Sequence, residues 1–129
     1  MANELILIVE DNDKNRKLVR DVLAHRGYRI AEAETGEDGV RLARQLRPDL
    51  VLMDIQLPGI DGIAALREIR TGPATRHVRV MAVTASAMTQ DRQAIMAAGF
   101  DAYQSKPISL REFTRAVEEL LARPGGAPA

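Results

Sequence analysis

The sequence predicts a doubly wound α/β domain built on a five-stranded parallel sheet. Short aliphatic runs alternate with helical patterns five times along the chain. The runs are apolar at successive positions, as in strands covered by helices on both faces. The connections are short, and parallel strands need crossovers, which in right-handed form lay helices on both sides of the sheet.

The first run, Leu5-Ile6-Leu7-Ile8-Val9, ends abruptly in charge. Residues 13–26 place Leu18, Val19, Val22 and Leu23 on one helical stripe, and Gly27 follows where a C′ residue belongs. Tyr28 to Ala33 reads as a weaker strand. The second helix, residues 36–47, carries Val40, Ala43 and Leu46 and is stopped by Pro48. Leu50-Val51-Leu52-Met53 is the third strand, and Ile63, Leu66 and Ile69 mark a third helix closed by Thr71-Gly72-Pro73. Val78 to Val83 forms the fourth strand, Thr89 to Ala98 a helix running up to Gly99, and Ala102-Tyr103-Gln104 a short fifth strand. Ser109 with Glu112 three residues on is a capping-box signature for a last helix that buries Phe113, Val117, Leu120 and Leu121. Residues 1–123 are expected to form one domain. Residues 124–129, Pro124 to Ala129, contain only Pro, Gly and Ala and read as a flexible tail.

At 129 residues the chain has room for one core, not two. Apolar residues make up 46% of it but aromatics only 3%, so that core must be aliphatic. Lysine and arginine number 18 against 18 acidic residues, which argues against nucleic acid or an anionic membrane as the main partner. The lack of cysteine removes disulfides, thiolate metal sites and thiol nucleophiles. Met1-Ala2-Asn3-Glu4 has no basic signal-peptide start and no apolar run approaches membrane-spanning length, so a cytoplasmic location is expected.

Ligands of open parallel sheets bind beyond the carboxyl ends of the strands, where strand order reverses. Glu10 and Asp11 follow the first strand, Asp54 the third, Thr84 the fourth, and Lys106-Pro107 the fifth. Crowded carboxylates repel unless a cation sits among them, and hard oxygen ligands favour Mg²⁺, with Mn²⁺ as a substitute. Asp11 and Asp54 suit direct ligation. Lys106 supplies a point charge and Thr84 a hydroxyl, a set that neutralises the oxygens of a transferring phosphoryl group. A carboxylate so placed can be the nucleophile and form an aspartyl phosphate; Asp54, on a central strand beside the metal, is the candidate. Singly, each residue has a plainer reading: Asp11 or Asp13 as a helix cap, Thr84 as a β-former, Lys106 as a solvated charge. Their convergence on one sheet edge favours the joint reading.

The blocks Val9-Glu10-Asp11-Asn12, Met53-Asp54-Ile55-Gln56-Leu57-Pro58-Gly59-Ile60-Asp61-Gly62, Val83-Thr84-Ala85 and Ser105-Lys106-Pro107 resemble the receiver domain of two-component response regulators. The resemblance spans residues 4–122. In its Glu-Asp-Asn opening with Asn15, and its Met-Asp-Ile-Gln-Leu-Pro block, the chain is most similar to single-domain DivK-like regulators and to receivers of hybrid sensor kinases. That resemblance implies the flavodoxin-like strand order 2-1-3-4-5 with five helices. It implies Asp54 as phosphoacceptor and Mg²⁺ held by Asp11, Asp54 and the backbone carbonyl of Gln56, with Glu10 acting through metal-bound water. Thr84 and Lys106 would contact the phosphoryl oxygens, and Lys106–Pro107 would be a cis peptide. Gln56 and Ser86 stand at positions that vary in the family and border the attacking water's path, so they bear on the lifetime of the phosphorylated form.

The donor so implied is a phosphohistidine of a histidine kinase or histidine phosphotransferase. Thr84 and Tyr103 would form the switch: Thr84 turns toward the phosphoryl group, Tyr103 fills the vacated space, and the surface of the fourth helix, fifth strand and fifth helix meets a downstream protein. A static, half-buried Tyr103 is the simpler alternative. Between Asp13 and Arg29, six basic residues (Lys14, Arg16, Lys17, Arg20, Arg26, Arg29) outnumber two acidic ones (Asp13, Asp21). Such a run is ordinarily a solvated face, although in receivers this helix commonly meets the phosphodonor's bundle. His25 and His77 belong to no helical bundle and are not read as phosphodonors; Met88 and Met96 read as core or partner-face packing.

The expected function is therefore a regulator that accepts a phosphoryl group and signals or relays it by protein contact, without being an enzyme for free substrates. Met1 and the lack of an output domain favour a free-standing protein over a receiver excised from a hybrid kinase. A flavodoxin-type binding module would need a hydroxyl- and Gly-rich loop where Glu10-Asp11-Asn12-Asp13 stands, and no P-loop motif is present. A haloacid-dehalogenase-type aspartate-nucleophile phosphatase, the alternative of a different class, needs Asp-x-Asp after the first strand. A degenerate receiver serving only as a scaffold is opposed by the intact acidic set.

Overall fold

The computed structural model describes residues 3–85 and 89–122. Ser86, Met88 and the tail from Pro124 lie outside the described residues. Five strands and five helices alternate: β1 (Leu5–Val9), α1 (Asp13–His25), β2 (Arg29–Ala33), α2 (Gly36–Leu46), β3 (Leu50–Asp54), α3 (Gly62–Thr71), β4 (Arg79–Thr84), α4 (Thr89–Ala97), β5 (Ala102–Ser105) and α5 (Leu110–Ala122). All pairings are parallel, in the order β2-β1-β3-β4-β5.

Successive strand residues point to opposite faces, which explains the unbroken aliphatic runs. Leu7, Val9, Val51, Met53, Val80 and Ala82 face one core with Ala43, Leu66, Ile69 and Ile95. Ile6, Ile8, Leu50, Leu52, Met81 and Val83 face the other with Val19, Leu23, Phe113, Val117 and Leu120. The two strands that read weakly in the sequence, β2 and β5, are the sheet's edges; only Ala33 among their residues is buried.

The helix ends follow their capping chemistry. Asn12 caps α1 by accepting from the Asn15 N–H, Thr35 caps α2 and Asp61 caps α3. At the far end of α1, Gly27 adopts φ 93°, and the Gly27 and Tyr28 N–H groups donate to the Ala24 and Leu23 carbonyls. Phe113 N–H donates to the Ser109 carbonyl, so α5 starts where the sequence placed it.

Two expected core residues are exposed instead: Leu18 at 44% and Leu46 at 39%. The buried line of α1 steps from Val19 to Leu23, leaving Leu18 one position off at the margin of the stripe. On α2 the buried line through Gly36, Val40 and Ala43 advances toward position 47, where Arg47 already forms the left-handed cap ahead of Pro48. Leu121 is half-buried rather than part of the core.

The loop after β3 folds back tightly, and the Gly62 N–H donates to the Ile55 carbonyl at 2.9 Å. A Cβ at Gly62 would overlap the Asp54 carbonyl oxygen and approach Ile55 Cα to 2.8 Å, two backbone atoms with no room to yield. Gly62→Ala is accordingly expected to cost about 1–3 kcal/mol, as overpacking does, measured by urea unfolding.

Candidate functional site

The order β2-β1-β3 places the reversal of strand order between β1 and β3, and the residues at their carboxyl ends meet there. Val9 pairs with Met53, so Glu10 and Asp54, each one residue further on, stand side by side. Asp54 is the last residue of β3 and Thr84 the last of β4, rather than the first after them. One oxygen from each of Glu10, Asp11 and Asp54 lies within 4.8 Å of the other two. Glu10 and Asp54 are buried, at 6% and 5% exposure, whereas Asp11 is exposed.

Lys106 closes this cluster. Its Nζ donates to Glu10 Oε1 at 2.8 Å and to Asp54 Oδ2 at 3.1 Å. The Lys106 N–H donates to the Thr84 carbonyl at 2.8 Å, and the next peptide, Lys106–Pro107, is cis as expected. The remaining carboxylate oxygens are held by backbone: Asn12 N–H reaches Glu10 Oε2, and Gln56 N–H reaches Asp54 Oδ1, both at 3.1 Å. Lys106 is thus no solvated surface charge, and the cap is Asn12, not Asp11 or Asp13.

Three carboxylates against one ammonium leave the cluster with an excess of negative charge. Burial pushes the Glu10 carboxyl above its ordinary range, against the opposing bonds from Lys106 and the Asn12 N–H. Burial alone would lower Lys106, but its hydrogen bonds to Glu10 and Asp54 hold it above the usual lysine value, so it stays charged. Hard oxygen donors, uncompensated charge and an exposed member facing solvent fit a small divalent cation.

Thr84 is buried and pairs with Ser105, while Tyr103 pairs with Ala82. Thr84 and Tyr103 therefore share one face of the sheet. Tyr103 is half-buried against the core, and the Arg92 guanidinium of α4 lies 5.4 Å from its ring centroid. Met96, on the same helix, is 40% exposed and not in the core.

The positive charge of α1 is largely offset within the fold, which the sequence tally could not show. Lys17 pairs with Asp21, Arg20 with Glu32, Arg26 with Glu118, and Arg16 with Asp13 and Glu32. His25 and His77 are both exposed and belong to no part of the acidic cluster.

The chain belongs to the response regulator receiver domain family, which it matches over residues 6–118. It is 42% identical over 116 residues to the polar-differentiation response regulator DivK of Brucella anthropi, spanning 90% of this chain and 94% of that protein. The DivK of Brucella ovis is 41% identical over the same length. Among solved structures it is similar to the receiver domain of a sensor histidine kinase from Pseudomonas aeruginosa, which holds a magnesium ion in its active-site cleft. That likeness has 37% identity and a TM-score of 0.88, over 95% of this chain and 100% of the other.

The raised Glu10 pKa has a sign that can be measured. A carboxyl whose pKa is higher folded than unfolded contributes stability that is complete below the unfolded pKa and lost as pH rises through the folded one. In metal-free buffer, Glu10→Gln, which cannot ionise, is therefore expected to gain in unfolding free energy relative to wild type as pH rises from the acid side toward neutrality. A difference independent of pH would contradict the effect of burial on Glu10.

Proposed function

We propose that this receiver domain accepts a phosphoryl group on Asp54 from a phosphohistidine of a partner histidine kinase or histidine phosphotransferase, with Mg²⁺ required. The observation that carries the reading is the Lys106 ammonium bridging Glu10 and Asp54 beside the exposed Asp11. In the transfer, a new P–O bond forms on an Asp54 oxygen as the donor's P–N bond breaks, leaving an acyl phosphate. Lys106 stays beside that oxygen as a fixed positive charge, and the Thr84 hydroxyl supplies a donor to the phosphoryl group.

Asp11, Asp54 and the Gln56 carbonyl would hold the ion, with Glu10 acting through water; Mn²⁺ shares these ligand preferences. When bound, the ion supplies charge neutralisation at the phosphoryl oxygens. Glu10, fixed by Lys106 and the Asn12 N–H, keeps the buried side of the cluster rigid.

The output reading is a shift of Thr84 toward the phosphoryl group with movement of Tyr103, presented to a downstream protein by α4, β5 and α5. The shared sheet face of Thr84 and Tyr103 supports it. A donor's helical bundle would dock on α1 and α5, where Leu18 and Leu110 are 44% and 47% exposed. A groove of about 580 Å³ there is lined by Val22, His25, Leu110 and Thr114.

Coverage of 94% of the Brucella anthropi DivK supports a single-domain regulator. The likeness to a kinase receiver makes a domain of a hybrid kinase the second reading. Among the described residues no helix is long and apolar enough to cross a membrane. A cytoplasmic protein acting without nucleic acid, membrane or turnover of free phosphate esters completes the proposal.

Incubation with Mg²⁺ and acetyl phosphate is expected to add one phosphate to wild type by intact mass and none to Asp54→Asn. Equal adducts on both proteins would overturn the assignment, and steady hydrolysis of small phosphate esters would favour the aspartate-nucleophile phosphatase instead. For the switch, the Tyr103 ring resonances are expected to shift when beryllofluoride is added with Mg²⁺. An unchanged ring environment would leave Tyr103 a static core residue.

A further inference from the structure

Arg16 stands apart from the other basic residues of α1 and from Arg26 at its C-terminal cap. Its side chain is 15% exposed, against 38% for Arg20, 48% for Arg26 and 67% for Lys17. The guanidinium works in three directions. Nη1 donates to the Glu10 carbonyl oxygen at 2.9 Å, Nε to Glu32 Oε1 at 3.1 Å, and Nη2 to Asp13 Oδ1 at 2.6 Å. Glu32 lies on β2 opposite Ile8 of β1, so one side chain ties the loop after β1 to the edge strand and to the first turn of α1.

The Glu10 carbonyl belongs to the planar peptide that joins Glu10 to Asp11. A bond to that oxygen sets the plane's rotation, and with it the direction in which Asp11 leaves the strand. The rest of the loop is already fixed: Glu10 N–H donates to the Ala33 carbonyl, and Asn12 caps the helix. The carboxylates of Glu10 and Asp54 are gripped by Lys106 and by backbone N–H groups. The Asp11 carboxylate has no such grip among the described residues, although its oxygen lies within 4.8 Å of the other two. Its place depends on its backbone.

We propose that Arg16 is a positioning residue for the metal site: by holding the Glu10–Asp11 peptide plane it aims the Asp11 carboxylate into the cluster and sets the affinity for Mg²⁺. The proposal rests on the reading of the acidic cluster as a Mg²⁺ site. Geometry and charge make opposite predictions here. Removing a cation near an acidic site would tighten Mg²⁺ by electrostatics alone, whereas loss of the hold on Asp11 weakens it. Groups that orient metal ligands from behind typically change affinity by 10–100-fold when removed.

The experiment is a calorimetric Mg²⁺ titration of folded wild type, Arg16→Met and Arg16→Lys, with amide NMR spectra of Asp11 and Asn12 recorded in parallel. Arg16→Met is expected to bind Mg²⁺ about tenfold more weakly and to broaden both amides. Arg16→Lys, which keeps the charge but cannot span three acceptors, is expected to restore little of the loss. Full recovery by Lys, or Mg²⁺ binding by Met as tight as wild type or tighter, would overturn the positioning role. Should Arg16→Met fail to fold, Arg16→Lys carries the test alone, because it keeps the charge and loses the three-way span; wild-type Mg²⁺ affinity in a folded Arg16→Lys protein would overturn the proposal. Failure of wild type itself to bind Mg²⁺ would reject the metal reading and is distinguishable from every outcome above.

Discussion

Two carboxylates buried at the ends of adjacent strands can persist only with a counter-charge between them, and the Lys106 ammonium provides it. The rest of the structure is arranged to make that contact. β1 and β3 bring Glu10 and Asp54 together, while β4 and β5 carry Lys106 to them from 52 residues beyond Asp54. The Lys106 N–H is itself anchored on the last carbonyl of β4. Unpairing the lysine would leave buried charge without compensation, whereas pairing it leaves a negative excess open to solvent only at Asp11.

The aliphatic sheet supplies rigidity rather than chemistry. Both faces of β1, β3 and β4 are covered, and nearly every residue in these three strands is buried. Polar groups appear where the strands run out, because only there can carboxylates and a hydroxyl reach solvent or one another. Gly62, packed on the Asp54 carbonyl, lets the chain turn back at once and begin α3 beneath the site.

The fold and the convergence of Glu10, Asp11, Asp54 and Lys106 were legible in the sequence because both rest on local patterns. Aliphatic runs mark the covered strands, and charge at their ends marks the sheet edge. What stayed hidden depends on partners distant in sequence. Leu18 and Leu46 fit their helical stripes, yet only the packed sheet decides where a stripe's margin falls. Asn12 takes the cap that Asp11 or Asp13 could have taken, since an N-cap is defined by backbone geometry and not by residue type alone. Arg16 and Lys17 are neighbours in one basic run, but Glu32 and the Glu10 carbonyl draw only the first inward. The pairing of this run was hidden for the same reason: Glu32 and Glu118, which offset part of its charge, lie outside it.

The placement of Tyr103 on β5 has a kinetic and energetic consequence. All four residues of this edge strand are half-buried, and it has a neighbour on one side only. Segments with few buried contacts open at free energies well below that of global unfolding. In the proposed switch, a rearrangement confined to this margin leaves the two aliphatic cores intact, and two arrangements so related differ by only a few kcal/mol. One added phosphoryl group, through a small number of charge-assisted hydrogen bonds, acts on that same scale.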